Sequence, residues 1–276
     1  MPVLTPTDIR ALLETYELRP SRALGQNFLA DPNIAQRIAR LADVEAGDAV
    51  LEIGPGLGSL TLALAARGAR VRALELDRHV MRALEHVVAD RPGVSLQHGD
   101  ALTYDYATEL DTGPWICVSN LPYNVATPII IRLLESAPQV QRIVVMIQRE
   151  VGIRLAAAPG TPDCGAVSAK IAYYSNARIV ATVPSTVFVP RPKVESVVVR
   201  LDRLPEPPVD APSPAAMFAL VAAGFSGRRK MLRRALRPML GDDTVRALVA
   251  AGIDPEARGE SLDLAAWARL SVVTAR

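Results

Sequence analysis

The chain has 276 residues, enough for one large domain and a small one, and half of them are hydrophobic, so an aliphatic core is available. A formal charge of +2 gives no reason by itself to expect a polyanionic partner, and the only cysteines, Cys117 and Cys164, lack the paired spacing of a disulfide framework or a zinc site. No apolar run nears the roughly 20 residues that cross a bilayer and no basic-then-apolar leader is present, so a soluble, reducing, cytoplasmic setting without a metal is expected.

In chain order, Thr7 can cap a first helix whose apolar residues Ile9, Leu12, Leu13 and Tyr16 recur at helical spacing. A polar stretch over 21–31 leads to a short helix ending near Leu41. Strand-like segments then lie at 49–53, 71–76, 94–97, 115–119 and 142–147, with helical segments at 59–67, 78–90 and 127–136 between them. Strands alternating with helices predict right-handed βαβ units and a mostly parallel sheet covered on both faces. Two β-rich runs, 169–183 and 194–201, suit an antiparallel hairpin at one edge. Pro205-Glu206-Pro207-Pro208, with Pro212 and Pro214, reads as a linker. Beyond it the patterns are helical at 214–223, 226–237, 242–251 and 261–270. The expected domains are therefore 1–204, an α/β unit, and 205–276, a small all-helical one.

Leu51-Glu52-Ile53-Gly54-Pro55-Gly56-Leu57-Gly58-Ser59 ends a strand and opens a helix, a place where glycines let the backbone turn sharply and approach a ligand. A dinucleotide fingerprint requires G-x-G-x-x-G, but its third place here is Ser59. The pattern present is G-x-G-x-G behind an acidic residue, which resembles the first motif of S-adenosyl-L-methionine methyltransferases. Glu75 ends the next strand, where a carboxylate can accept from both hydroxyls of a ribose. Asp100, in His98-Gly99-Asp100-Ala101, follows the third, where it can accept from an adenine amino group. Taken singly, Glu75 and Asp100 are also readable as solvated strand-end charges; in register with the glycine loop they mark the carboxyl edge of the sheet, where such folds bind ligands.

Asn120-Leu121-Pro122-Tyr123-Asn124 follows the fourth strand. The exocyclic nitrogen of adenine is a poor nucleophile because its lone pair is delocalised into the ring. Making it more tetrahedral requires acceptors for its two hydrogens, and the Asn120 side-chain oxygen and the Leu121 carbonyl are the candidates. Pro122 restricts Leu121 to extended conformations, and Tyr123 offers a face on which a base can stack. A turn closed by Asn and Pro is the plainer alternative. A cytosine C5 methyltransferase would need a nucleophilic thiol, and no Pro-Cys pair exists.

Taken together, the motifs resemble the dimethyladenosine transferases of small-subunit ribosomal RNA along nearly the whole chain. They comprise Leu24-Gly25-Gln26-Asn27-Phe28-Leu29, residues 52–61, Glu75, Asp100, residues 120–124, Gln148-Arg149-Glu150-Val151, residues 188–194, residues 225–233 and Arg258-Gly259-Glu260-Ser261-Leu262. The resemblance implies a Rossmann-like sheet, S-adenosyl-L-methionine as cofactor, and dimethylation of two adjacent adenosines in the 3′-terminal hairpin of 16S rRNA within a pre-formed small subunit, by a monomer. It implies that Gln26, Asn27 and Leu29 lie over the cofactor beside Gly54, Gly56, Gly58, Glu75, Leu76, Asp100, Ala101 and Asn120, and that Phe188 faces Tyr123 across a flipped base. One departure is Cys164, where the family usually has an aromatic residue. Two other readings stand beside it: a large-subunit adenine N6-methyltransferase of the macrolide-resistance type, and an assembly factor for which methylation is secondary.

The charge distribution bears on RNA. Residues 1–199 carry 19 basic and 20 acidic side chains, whereas residues 200–276 carry 12 and 9, and only Lys170, Lys193 and Lys230 are lysines, so the positive charge is almost all arginine. Genome composition is the plain explanation for the arginines. If 225–237 is one helix, Lys230, Arg233, Arg234 and Arg237 share a face opposite Phe225, Leu232 and Leu236, and with Arg228 and Arg229 they form a cationic stripe for phosphates. The alternative is a solvated face that suits the negative end of the helix dipole.

Overall fold

A computed structural model of the chain describes residues 3–21, 23–227 and 230–275. The strands are β1 (Phe28–Leu29), β2 (Ala49–Ile53), β3 (Arg70–Glu75), β4 (Val94–His98), β5 (Trp115–Asn120), β6 (Val140–Gln148), β7 (Ser175–Val183), β8 (Phe188–Val189) and β9 (Ser196–Arg203). Seven of them form one sheet in the order β4-β3-β2-β5-β6-β9-β7, and β1 pairs with β8. β2 runs parallel to both β3 and β5, β3 to β4, and β5 to β6, whereas β9 is antiparallel to β6. The expected mostly parallel α/β sheet with an antiparallel edge is therefore present. All five residues of β2 are buried, as a strand covered on both faces requires. The chain leaves β2 toward β3 and β4, then returns to its other side as β5. This places a topological switch point between β2 and β5, where open α/β sheets form their ligand crevice.

Helix ends follow their local chemistry. Helix Arg78–Val88 turns Val80, Ala83, Leu84, Val87 and Val88 inward, and Asp77 caps it by accepting from the His79 N–H at 2.9 Å. The first helix is Pro6–Thr15, capped by Thr5 and not by Thr7. The Thr5 N–H donates to Asp8 Oδ2 at 2.8 Å while Asp8 N–H donates back to Thr5 Oγ1, a reciprocal box that Thr7 has no acidic residue three positions on to make.

The C-terminal end of helix Ala126–Ser136 is closed by a side chain from β9. Arg203 donates to the carbonyls of Leu133, Leu134, Ala137 and Val140 at 2.8–3.1 Å, satisfying acceptors that a helix end leaves open. Arg203→Ala should lower unfolding free energy by about 2–3 kcal/mol, since several half-buried carbonyls lose a charged donor together. Chemical denaturation would read this, and a loss under 0.5 kcal/mol would remove the capping role.

The described chain divides into two compact units: Met1–Gly152 with Arg178–Arg203, and Ile153–Ala177 with Leu204–Arg276. The switch at 203/204 lies where the proline-rich segment begins, but 153–177 groups with the C-terminal helices. The physical reason is burial: the first part of the run 169–183, read from sequence as β, is instead the end of helix Ala166–Tyr174, and Tyr173 packs edge-on against Phe218 with ring centroids 5.2 Å apart. The second unit has its own core around Trp267, Leu232, Leu236, Leu248 and Leu270, each fully buried.

Among the described residues, the expected helix over 226–237 is not continuous: helix Pro214–Gly224 ends before Phe225, 226–227 and 230–231 are not helical, and the one-turn helices Leu232–Ala235 and Arg237–Leu240 stand in its second half. Gly224 packs against the Trp267 ring, where any side chain would collide. Met231 is extended and bridges Arg258, and the Leu232 N–H donates to the Ala257 carbonyl at 2.8 Å instead of to its own helix. Tertiary pairing thus outcompetes helical propensity. Among the described residues, no helix is long and apolar enough to cross a membrane.

Candidate active site

A cleft opens at the carboxyl edge of the parallel strands in the first unit. It is lined by the glycine loop after β2, the end of β3, the turn after β4, the segment after β5 and residues 24–29. Most of the residues expected there are brought together: Gln26, Asn27, Leu29, Gly54, Gly56, Glu75, Leu76, Asp100, Ala101, Asn120, Leu121, Pro122 and Tyr123 all line it.

The loop has the backbone its glycines allow. Gly54, Gly56 and Gly58 have φ of 66°, 57° and 90°, a region costly for residues with a Cβ. A Cβ on Gly56 would lie 3.0 Å from the Phe28 ring, so this glycine makes room for the 24–29 segment. Gly58 does not line the cleft; a Cβ there would lie 2.8 Å from Leu84 Cδ1, so its smallness lets helix Arg78–Val88 pack closely. The Glu75 carboxylate accepts from Gly56 N–H at 3.1 Å and from Asp77 N–H at 2.9 Å. Burial raises its pKa, and these backbone donors, with that of Leu76, offset only part of the rise, so it stays above the ordinary carboxylate value. With two lone pairs on each oxygen, these three donors leave the carboxylate one acceptor position for a further donor. Asp100 Oδ1 accepts from the Leu102 N–H at 2.8 Å, which holds its turn at the cleft edge.

On the opposite wall, Asn120 Nδ2 donates to the Asn27 carbonyl at 3.2 Å. That contact assigns the two ends of the amide, leaving Oδ1 as the acceptor. The Leu121 N–H donates to Met146 O at 3.2 Å, tying the next peptide to β6. The Val125 N–H donates to the Pro122 carbonyl at 3.2 Å and closes the turn. The 24–29 segment straddles the cleft. Asn124 Nδ2 donates to Ala23 O on one side, and Gln26 Nε2 donates to Asp77 Oδ2 at 2.8 Å on the other. Gln26 thereby holds the strap, with its Oε1 already accepting from Ser21 N–H.

Three further residues shape the site, of which only Glu52, the acidic residue ahead of the glycine loop, belongs to a motif. Glu52 lies at the cleft floor, 1% exposed, and its Oε2 has no hydrogen-bond partner. Asp77 joins strap and helix, and its position just before an apolar-periodic run marks it as a cap. Ser196 reaches Tyr123 from β9. Conversely, Phe188 is 3% exposed and does not line the cleft. Its strand pairs with β1, setting it opposite Leu29 within the core, so the expectation that it faces Tyr123 across a base finds no support in this placement. Cys117 is fully buried in β5, and burial pushes its thiol up to about 12, so it is no nucleophile.

In the second unit, Arg233 pairs with Glu256 at 3.3 Å and Arg237 with Asp242 at 3.4 Å, whereas Lys230 and Arg234 are exposed. Arg228 and Arg229 lie outside the described residues. Among the described residues the cationic side chains do not share one face of a continuous helix, because the helical turns there are short and separate.

Comparison with known proteins extends these observations. The family model for ribosomal RNA adenine dimethylase matches residues 18–275. Similar proteins include the ribosomal RNA small subunit methyltransferase A of Alkaliphilus metalliredigens, 42% identical over 98% of this chain and 96% of that protein. The protein of the same name from Acidothermus cellulolyticus is 45% identical over 97% of this chain and 93% of its own length. Among solved structures, a dimethyladenosine transferase from Plasmodium falciparum superposes with a TM-score of 0.72 at 23% identity, over 88% of this chain and 95% of that one. The 23S rRNA methyltransferase ErmE superposes with a TM-score of 0.66 at 26% identity, over 91% of this chain and all of that one.

Proposed function

The chain belongs to the ribosomal RNA adenine dimethylase family, and from that membership we propose that it transfers methyl groups from S-adenosyl-L-methionine to the N6 nitrogens of two adjacent adenosines in the 3′-terminal hairpin of 16S rRNA, within a small subunit. The observation that carries the reading is the Asn120 amide, anchored through Nδ2 on the Asn27 carbonyl with Oδ1 as its acceptor end at the cleft.

The residues fit the cofactor. Glu75 keeps acceptor capacity for a ribose hydroxyl, Asp100 for an adenine amino group, and the positive-φ glycine loop admits a close-lying chain. Leu29, Leu76 and Ala101 supply apolar contact, Asn27 and Gln26 belong to the strap above them, and Gly58 acts indirectly by packing. The bound cofactor supplies a methyl group on a positively charged sulfur. This chain's part is alignment and preorganised dipoles. Asn120 Oδ1 and the Leu121 carbonyl accept the amino hydrogens of adenine, which draws that nitrogen toward tetrahedral geometry. Pro122 holds the Leu121 peptide extended, and the Tyr123 ring is the platform for the base. No strong base is needed.

For the second unit the same reading assigns phosphate contacts to Lys230 and Arg234, with Arg233 and Arg237 joining where their acidic partners release them, and with Arg228 and Arg229 completing the basic segment. Such contacts position RNA without reading bases.

The ErmE likeness favours a second reading, a large-subunit adenine methyltransferase. The relatives at 42–45% identity over nearly the whole chain favour the small subunit. The discriminating experiment supplies methyl-labelled cofactor with undermethylated small and large subunits and maps the labelled nucleotides. Label on two neighbouring adenosines of 16S rRNA is expected; label confined to 23S rRNA would overturn the reading.

A further inference from the structure

Tyr123 is held at both ends. Its backbone belongs to the turn after β5, and its hydroxyl lies 2.7 Å from Ser196 Oγ, 73 residues further along the chain. Ser196 opens β9 opposite Gln148 of β6 and is fully buried, followed by Val197, Val198 and Val199, all buried as well. A hydroxyl in such an apolar run costs free energy unless it is paired, and Tyr123 is the partner it has. The phenol in turn is drawn into the interior, where burial raises its pKa and the bond to Ser196 offsets part of the rise. A tyrosine ring has only two side-chain torsions. With its hydroxyl tied to the sheet, its plane at the cleft is set, not free to swing.

We infer that Ser196 is a positioning residue for methyl transfer, holding the Tyr123 ring in the plane against which the target base is presented. This rests on the reading of Tyr123 as the base's platform. It assigns Ser196 no contact with the substrate or the cofactor.

Four variants of the full chain test it: Ser196→Ala, Tyr123→Phe, the double variant, and Tyr123→Ala. Each is assayed for single-turnover methyl transfer on undermethylated small subunits, for KM and cofactor affinity, and for thermal melting. Ser196→Ala and Tyr123→Phe should each slow turnover about tenfold, the equivalent of about 1.4 kcal/mol. The double variant should be no slower than either single one, because both remove the same bond. KM and cofactor affinity should stay unchanged, and folded enzyme should persist at the assay temperature. A merely structural serine would lower melting temperature and leave the turnover of the folded fraction intact, which would overturn the inference. So would multiplicative losses in the double variant. If Tyr123→Ala is slow but Ser196→Ala runs at the parent rate, Ser196 has no positioning role and the platform reading survives. If Tyr123→Ala itself runs at the parent rate, the platform reading falls, and the inference with it.

Discussion

Asn120→Ala is expected to slow methyl transfer about 10²- to 10³-fold while leaving cofactor affinity within about tenfold, or roughly 1.4 kcal/mol. The asymmetry follows from where the side chain is anchored. Its nitrogen is spent on the Asn27 carbonyl, so what it offers the cleft is one neutral oxygen. That oxygen becomes important as the adenine nitrogen pyramidalises and its hydrogens grow more acidic, and much less so in the ground state. Interactions made mainly in the transition state lower kcat when removed and leave binding almost untouched. A single preorganised polar group of this kind is worth about 10²- to 10³-fold in rate. Asn120→Asp sharpens the test. It keeps an acceptor but cannot donate to the Asn27 carbonyl, so the anchor is lost and an anion faces a carbonyl oxygen. It should be slow as well, through misplacement. Single-turnover rates and equilibrium cofactor binding on the same preparations decide the matter; an alanine variant as fast as the parent removes Asn120 from the chemistry.

How far the site could be read from the sequence depended on the range of the interactions that build it. The glycine loop, Asp100 and the segment after β5 each follow a strand and Glu75 ends one, and the alternation of strands and helices puts all four at one edge of the sheet. That reading required only local periodicity and the rule that parallel strands are joined by right-handed crossovers. What was not legible depends on partners far along the chain. Gln26 meets Asp77 51 residues away, and Ser196 meets Tyr123 73 residues away; neither has a local pattern. Phe188 is placed by its ladder to β1, a two-residue pairing too short to leave a signal. The segment 225–237 has a good helical pattern, yet the Met231–Arg258 bridge and the packing of Gly224 on Trp267 break it. The cationic stripe inferred from that pattern disappears with the helix, although the charges remain.

Glu52→Gln should make the protein more stable at pH 8 than the parent, with the advantage vanishing toward pH 5. Glu52 is the fourth residue of a strand buried throughout, and its Oε2 has no hydrogen-bond partner. Burial pushes its carboxyl up to about 8, and the nearby Glu75 adds to this. In the unfolded chain a glutamate ionises near its ordinary value of 4.5. Above that value the unfolded state sheds a proton that the folded state retains, so stability is complete below pH 4.5 and declines up to pH 8. The slope is at most about 1.4 kcal/mol per pH unit, and over the whole window the loss is of the order of a few kcal/mol. Glutamine has no proton to lose and removes this contribution. Glu75 also has a raised pKa, but it is present in both proteins and cancels in the difference between them. Urea denaturation at pH 5, 6, 7 and 8 reads that difference directly. It should widen steadily with pH and level off above 8, and two curves separated by a constant amount would mean that Glu52 is already ionised when folded. At neutral pH an uncharged amide would be the more stable choice for this position, so the fold alone gives no reason for an acid at the floor of the cleft.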